Sequence, residues 1–124
     1  MNEMKLLVSV VDDDESVRES LPDLLKELGF VANVFSSAEE FLASDCIKQT
    51  RCLILDIAMP GMRGPELKRE LENRQLAIPV IFITAHRDEA VRLQMLKDGA
   101  IGCLFKPFTD TELLEALKKA AERK

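Results

Sequence analysis

Apolar runs of strand length alternate along this chain with segments whose apolar positions recur at helical spacing. KLLVSVV, 5–11, is apolar almost throughout and predicts a strand buried on both faces. The next segment sets Val17, Leu21, Leu24, Leu25 and Leu28 on one stripe and stops at Gly29, as a helix would. Pro22 lies inside that stripe and predicts a kink, with the proline on the exposed side. FVANVF, 30–35, is a second short strand. SSAEEFLAS follows with two overlapping capping boxes, Ser36 with Glu39 and Ser37 with Glu40, and opens a short helix.

RCLILD, 51–56, is the third strand, and the Met-Pro-Gly after it forces a break. Gly64-Pro65 then opens a helix with Leu67 and Leu71 facing inward. IPVIFIT, 78–84, is the fourth strand, rich in β-branched residues. RDEAVRLQMLKDG carries Ala90, Val91, Met95 and Leu96 on a broad apolar face and ends at Gly99. IGCLF, 101–105, is the fifth strand. Thr109 with Glu112 caps a last helix lined by Leu113, Leu114, Leu117, Ala120 and Ala121. Five strand–helix units in strict alternation imply an α/β fold: a parallel sheet covered on both faces, joined by right-handed crossovers.

In an open sheet of this kind, sites form at the carboxyl ends of the strands. Strand one ends in Asp12, Asp13 and Asp14, strand three in Asp56, strand four in Thr84, and strand five in Lys106 before Pro107. A strand gains nothing from ending on a carboxylate, so the position of Asp56 needs a reason. Converging carboxylates raise one another's pKa, and a positive group should sit among them, either Lys106 or a divalent metal. Oxygen ligands without His or Cys suit a hard cation such as Mg²⁺. A carboxylate beside Mg²⁺ and an ammonium can attack a phosphoryl group, giving an aspartyl phosphate, with the Thr84 hydroxyl donating to another oxygen. Asp14 is read as the cap of the first helix rather than as a ligand.

These residues carry a resemblance. VVDDDESVR, LILDIAMPGMRG, VIFITAH, the DGA closing the fourth helix and LFKPF together resemble the receiver domain of two-component response regulators, over essentially the whole chain. The resemblance implies a flavodoxin-like, doubly wound (βα)5 fold with strand order 2-1-3-4-5. It implies Mg²⁺ held by Asp12, Asp13, Asp56 and the backbone carbonyl of Ala58, and phosphorylation of Asp56 by a partner sensor histidine kinase. Thr84 and Lys106 take the places of the family's hydroxyl and ammonium, with a cis bond before Pro107. The run from VVDDDESVR through SSAEEFLAS looks most like regulators with a C-terminal helix-turn-helix output domain. Such domains commonly form dimers through the face of helix four, strand five and helix five, which here carries Val91, Met95 and Leu104.

One position departs from the pattern. The aromatic that usually swings inward, three residues before the lysine, is Cys103 here. Phe105 lies on the strand face opposite Lys106, which by alternation makes it a poor substitute. The expectation is that the fourth helix and the loop before it carry the conformational change instead. His86, two residues past Thr84, is read first as an exposed loop histidine, and alternatively as a flank that tunes water access to the site.

Length and composition agree with this reading. The 124 residues make one domain, 1–124, with no linker or second domain expected, and 47% hydrophobic residues suffice for a core. A net charge of −5, with no basic stripe, argues against nucleic-acid binding by this domain. Cys46, Cys52 and Cys103 lack metal-ligand spacing and read as free thiols of a reducing, cytoplasmic compartment; no window is a membrane span. A flavin carrier is disfavoured by the acids where a phosphate loop belongs and by the lack of Trp and Tyr. An aspartate-nucleophile phosphatase would place its Asp-x-Asp on the first strand. A degenerate receiver, acting as a phosphorylation-independent interaction module, remains the alternative.

Overall fold

The computed structural model describes residues 6–122. Five parallel strands, β1 (Leu7–Val11), β2 (Val31–Phe35), β3 (Cys52–Asp56), β4 (Val80–Thr84) and β5 (Gly102–Phe105), form one sheet in the order β2-β1-β3-β4-β5. The helices are α1 (Glu15–Glu27), α2 (Ala38–Leu42), α3 (Gly64–Asn73), α4 (Glu89–Lys97) and α5 (Asp110–Glu122). This is the flavodoxin-like (βα)5 arrangement expected. Lys5, the first residue of the expected first strand, lies outside the described residues.

Strand alternation divides the core in two. Leu53, Leu55, Phe82 and Cys103 pack on one face with Phe41, Leu67 and Leu71. Val8, Val10, Ile54, Ile81 and Ile83 pack on the other with Leu21, Leu25, Leu113 and Leu117. Both faces of β3 and β4 are covered, which explains why those strands read as continuous apolar runs. Ser9 interrupts β1, and its buried hydroxyl is satisfied by Thr50 Oγ1 at 2.6 Å.

Several details differ from the sequence reading. Helix α1 continues through Pro22, which is half-buried rather than on an exposed side. Of the two overlapping boxes before α2 only one cap forms: Ser37 accepts from the Glu40 N–H at 3.0 Å, and Glu40 Oε1 accepts from the Ser36 N–H at 2.8 Å. Glu39 is left out of the cap. Strand β4 begins at Val80, because Ile78 turns back to Leu76 and Pro79 offers only its carbonyl, to Leu53. In α5, Ala116 is buried and Ala121 exposed. The Thr109–Glu112 box forms in both directions, at 2.8 and 3.0 Å.

Helix α4 shows the largest departure. None of its residues is fully buried; Val91, Met95 and Leu96 are half-buried, Ala90 is exposed and Leu93 is 61% exposed. Its start is set by Asp88, whose carboxylate accepts from the N–H groups of Ala90 and Val91. The helix lies over the sheet through the edges of its side chains rather than through a deep apolar stripe.

The depth of these contacts sets their energetic weight. Phe41→Ala removes a fully buried ring and is expected to cost about 3–5 kcal/mol in a denaturant melt. Leu93→Ala, at an exposed position, should change stability by no more than about 0.5 kcal/mol.

Candidate functional site

The carboxyl ends of β1, β3, β4 and β5 meet in one crevice. Asp12, just past β1, is fully buried, and Lys106 Nζ lies 2.7 Å from its Oδ2. Its Oδ1 accepts from the Asp14 N–H at 2.9 Å, while the Arg18 guanidinium donates to its carbonyl, also at 2.9 Å. Arg18 was not singled out in the sequence, although its place four residues after Asp14 in the first turn of α1 aims it at the end of β1. Asp14 caps α1 as expected: its Oδ1 accepts from the Ser16 hydroxyl and N–H, and these bonds hold its carboxyl below the usual aspartate range.

Asp56 ends β3 and is 6% exposed. The Ala58 N–H approaches its Oδ1 at 3.4 Å. Burial, with Asp12 beside it, pushes the Asp56 carboxyl up to about 7, and Lys106 pulls only part of the way back. Asp13 is exposed at the mouth, and one oxygen from each of Asp12, Asp13 and Asp56 falls within 4.8 Å of the others. Among the described residues, Oδ2 of Asp12 has no aligned hydrogen bond despite its burial, and Lys106 alone meets its charge. Three clustered carboxylates with an under-satisfied buried oxygen, and no nitrogen or sulfur ligand in the cluster, fit a hard divalent cation.

Thr84 ends β4 and is buried; its Oγ1 accepts from the His86 N–H at 3.0 Å. The Lys106 N–H donates to the Thr84 carbonyl at 2.8 Å, which ties the lysine to the tip of β4, and the Lys106–Pro107 bond is cis. His86 is exposed, in line with the first of its two readings.

The chain after Asp56 doubles back sharply. The Gly64 N–H donates to the Ile57 carbonyl at 3.1 Å, and a Cβ on Gly64 would lie 2.4 Å from the Asp56 carbonyl oxygen. No side chain fits there, so Gly64 is what lets α3 start against the end of β3. Met59 is buried beneath the loop, and the Glu39 carboxylate reaches the loop from α2 by accepting the Met62 N–H at 3.1 Å.

The three cysteines are free, with Cys52 and Cys103 buried. Burial pushes the Cys52 thiol up to about 12 and raises that of Cys103. Cys103 pairs with Phe82 and faces the α4 side of the sheet. Phe105 does lie opposite Lys106, but the same alternation puts it on the face of Cys103, so it is better placed to substitute than the sequence reading allowed. The guanidiniums of Arg87 and Arg92 sit 5.6 and 5.7 Å from its ring centroid.

Comparison with known proteins identifies this arrangement. The model of the response regulator receiver domain matches residues 8–118. The chain belongs to that family. It is 43% identical over 119 residues to nodulation protein W of Bradyrhizobium diazoefficiens, covering 96% of this chain and 52% of that protein. It is 41% identical over 115 residues to the transcriptional regulatory protein FixJ of Rhizobium meliloti, covering 93% of this chain and 56% of that one. This receiver domain therefore spans about half the length of the curated relatives it matches. The solved structure of FixJ-N superposes with a TM-score of 0.85 at 39% identity, covering 98% of both chains. A BeF3-activated DrrB receiver domain gives 0.83 at 28%, covering 97% of this chain and all of the other. No helix among the described residues is long and apolar enough to cross a membrane.

Two outcomes follow for the crevice of this receiver. With the Asp56 pKa raised from 3.8 to about 7, the folded state binds more protons than the unfolded state between those values, so its stability falls as pH rises through them. In metal-free protein, Asp56→Asn should therefore gain on wild type over that window, reaching on the order of 4 kcal/mol by pH 8 in urea melts. A constant difference across the window would contradict the raised pKa. Gly64→Ala should cost about 3 kcal/mol in the same melts, because the backbone it meets cannot move aside.

Proposed function

We propose that this receiver domain, residues 1–124 acting as one unit, is a phosphorylation-controlled switch. It accepts a phosphoryl group on Asp56 from the phosphohistidine of a sensor histidine kinase, dependent on Mg²⁺, and thereby controls a transcriptional output or dimerisation. The observation that carries this is the buried Asp12–Lys106 pair beside Asp56, at the edge where β1, β3, β4 and β5 end.

Asp12, Asp13, Asp56 and the Ala58 carbonyl would hold the metal, whose charge, when bound, offsets that of the incoming phosphoryl oxygens. An Asp56 oxygen attacks phosphorus as the donor's phosphorus–nitrogen bond breaks, and the electron pair leaves on the imidazole nitrogen. The raised pKa keeps part of Asp56 protonated in the metal-free crevice, so the carboxylate form is drawn out as the site is loaded. Lys106 would meet a phosphoryl oxygen, and Thr84 would turn its hydroxyl toward another. The domain thus promotes its own modification without turning over a small-molecule substrate.

Transmission follows from what touches Thr84. Turning its hydroxyl toward a phosphoryl oxygen disturbs the bond from the His86 N–H, and the next residue, Arg87, stacks on Phe105. Arg92 of α4 stacks on the same ring, and α4 has no fully buried residue to resist a shift. In this reading, Phe105 with its two arginines replaces the aromatic missing at Cys103, and α4, β5 and α5 present the altered face to a kinase-regulated partner or a second copy. FixJ of Rhizobium meliloti is a transcriptional regulatory protein, which supports a gene-regulatory output here, and in this reading the domain works in the cytoplasm.

Intact mass after incubation with a small phosphodonor is the direct test. One phosphoryl group, dependent on Mg²⁺ and absent in Asp56→Asn, is the expected result. No gain under any condition would favour the phosphorylation-independent interaction module, to which the aromatic missing at Cys103 points. Amide shifts induced by a phosphoryl mimic should include residues 85–98, and their absence there would rule out the proposed route.

A further inference from the structure

Glu39 stands outside the acidic crevice, yet it is tied to the loop that follows Asp56. Glu40 takes the capping bond before α2, so the Glu39 carboxylate is available to cross to a loop 23 residues further along, where it accepts from the Met62 N–H at 3.1 Å. Gly61 makes room for it: its φ is +76°, and a Cβ there would lie 2.9 Å from Glu39 Oε2. The loop is already closed at its base by the bond from the Gly64 N–H to the Ile57 carbonyl, and Met59 is buried beneath it. Pro60, between those two anchors and the tip, has no N–H to give. The carboxylate bond therefore restrains the part of the loop that the base and the buried methionine leave able to tilt. Helix α2 provides a firm mount, since Ala38 and Phe41 are fully buried and Ser37 caps it.

We propose that Glu39 is a positioning residue for the phospho-acceptor loop. By latching the 61–62 backbone it adds to the anchors at Ile57 and Met59, on either side of Ala58, and steadies the Ala58 peptide in its place beside Asp56. The proposal rests on the metal-site reading of Ala58 and Asp56 given above. Loosening the latch lets the loop sample orientations in which that peptide faces away, and the binding-competent fraction falls.

Mg²⁺ titration of the whole chain, followed by amide shifts of the 56–62 loop, tests this alongside thermal melts and small-phosphodonor rates. Glu39→Ala should weaken the Mg²⁺ Kd about three- to tenfold, the range expected for one lost hydrogen bond at an exposed position. Phosphorylation should slow by a similar factor at low Mg²⁺ and recover at saturating Mg²⁺. Glu39→Gln keeps an oxygen that can accept from Met62 and should restore most of the affinity. A purely structural surface bond would lower the melting temperature and leave the Kd unchanged, which would overturn the proposal. So would a Glu39→Gln as weak as Glu39→Ala. Wild-type protein that binds no Mg²⁺ would instead remove the metal-site reading, and this proposal with it.

Discussion

A carboxylate with no exposed surface is the constraint around which the carboxyl edge of this sheet is built. Removing an ion of that size from water costs several kcal/mol, which a nearby opposite charge offsets in part. Asp12 sits at that depth, and Lys106 meets it at 2.7 Å from the far end of the chain's last strand. To make the contact, Lys106 is anchored through its own N–H to the end of β4, the Arg18 guanidinium caps the Asp12 carbonyl, and Asp14 turns its N–H onto the remaining carboxylate oxygen. The ends of three strands and the start of α1 are thereby drawn to one point, and Asp56 is carried into it at the end of β3.

The arrangement is electrostatically unbalanced on its own terms. One ammonium faces two buried carboxylates and a third at the mouth, and burial, together with the neighbouring Asp12, raises the pKa of Asp56. A site in that condition favours either a proton or a cation, which is the property a metal-dependent acceptor requires. The loop that follows is held by steric fit and by hydrogen bonds at its base and its tip rather than by charge balance. Gly64 permits contact with the end of β3, Met59 fills the space below, and Glu39 restrains the tip.

The opposite character appears at α4. The helices that define the site are seated by fully buried side chains, whereas α4 rests on half-buried ones and on two guanidiniums over Phe105. Few buried apolar contacts mean a low cost for local displacement. Rigidity at the strand ends and looseness one element away are complementary: the first holds the chemistry, the second can report it.

Much of this was legible in the residues themselves. Continuous apolar runs such as Leu53–Leu55 and Ile81–Ile83 could only be strands covered on both faces, and strict alternation with helix-period segments left a parallel sheet as the architecture. Acids at the ends of two strands, a threonine and a lysine at two others, then marked one edge, because in such a sheet all strand ends point the same way. What sequence could not decide was which of several locally adequate partners each group would take. Ser36 and Ser37 offered two equivalent caps, and only packing of Ala38 and Phe41 selected Ser37 and released Glu39 to a loop distant in sequence. Apolar spacing in α4 matched a buried face, yet depth of burial depends on how closely the helix approaches the sheet. No motif announces the roles that Arg18, Glu39 and the arginines over Phe105 take, since those roles arise from contacts that exist only once the strands are in register. Local periodicity determines what an element is, and the folded surroundings decide what its polar side chains meet.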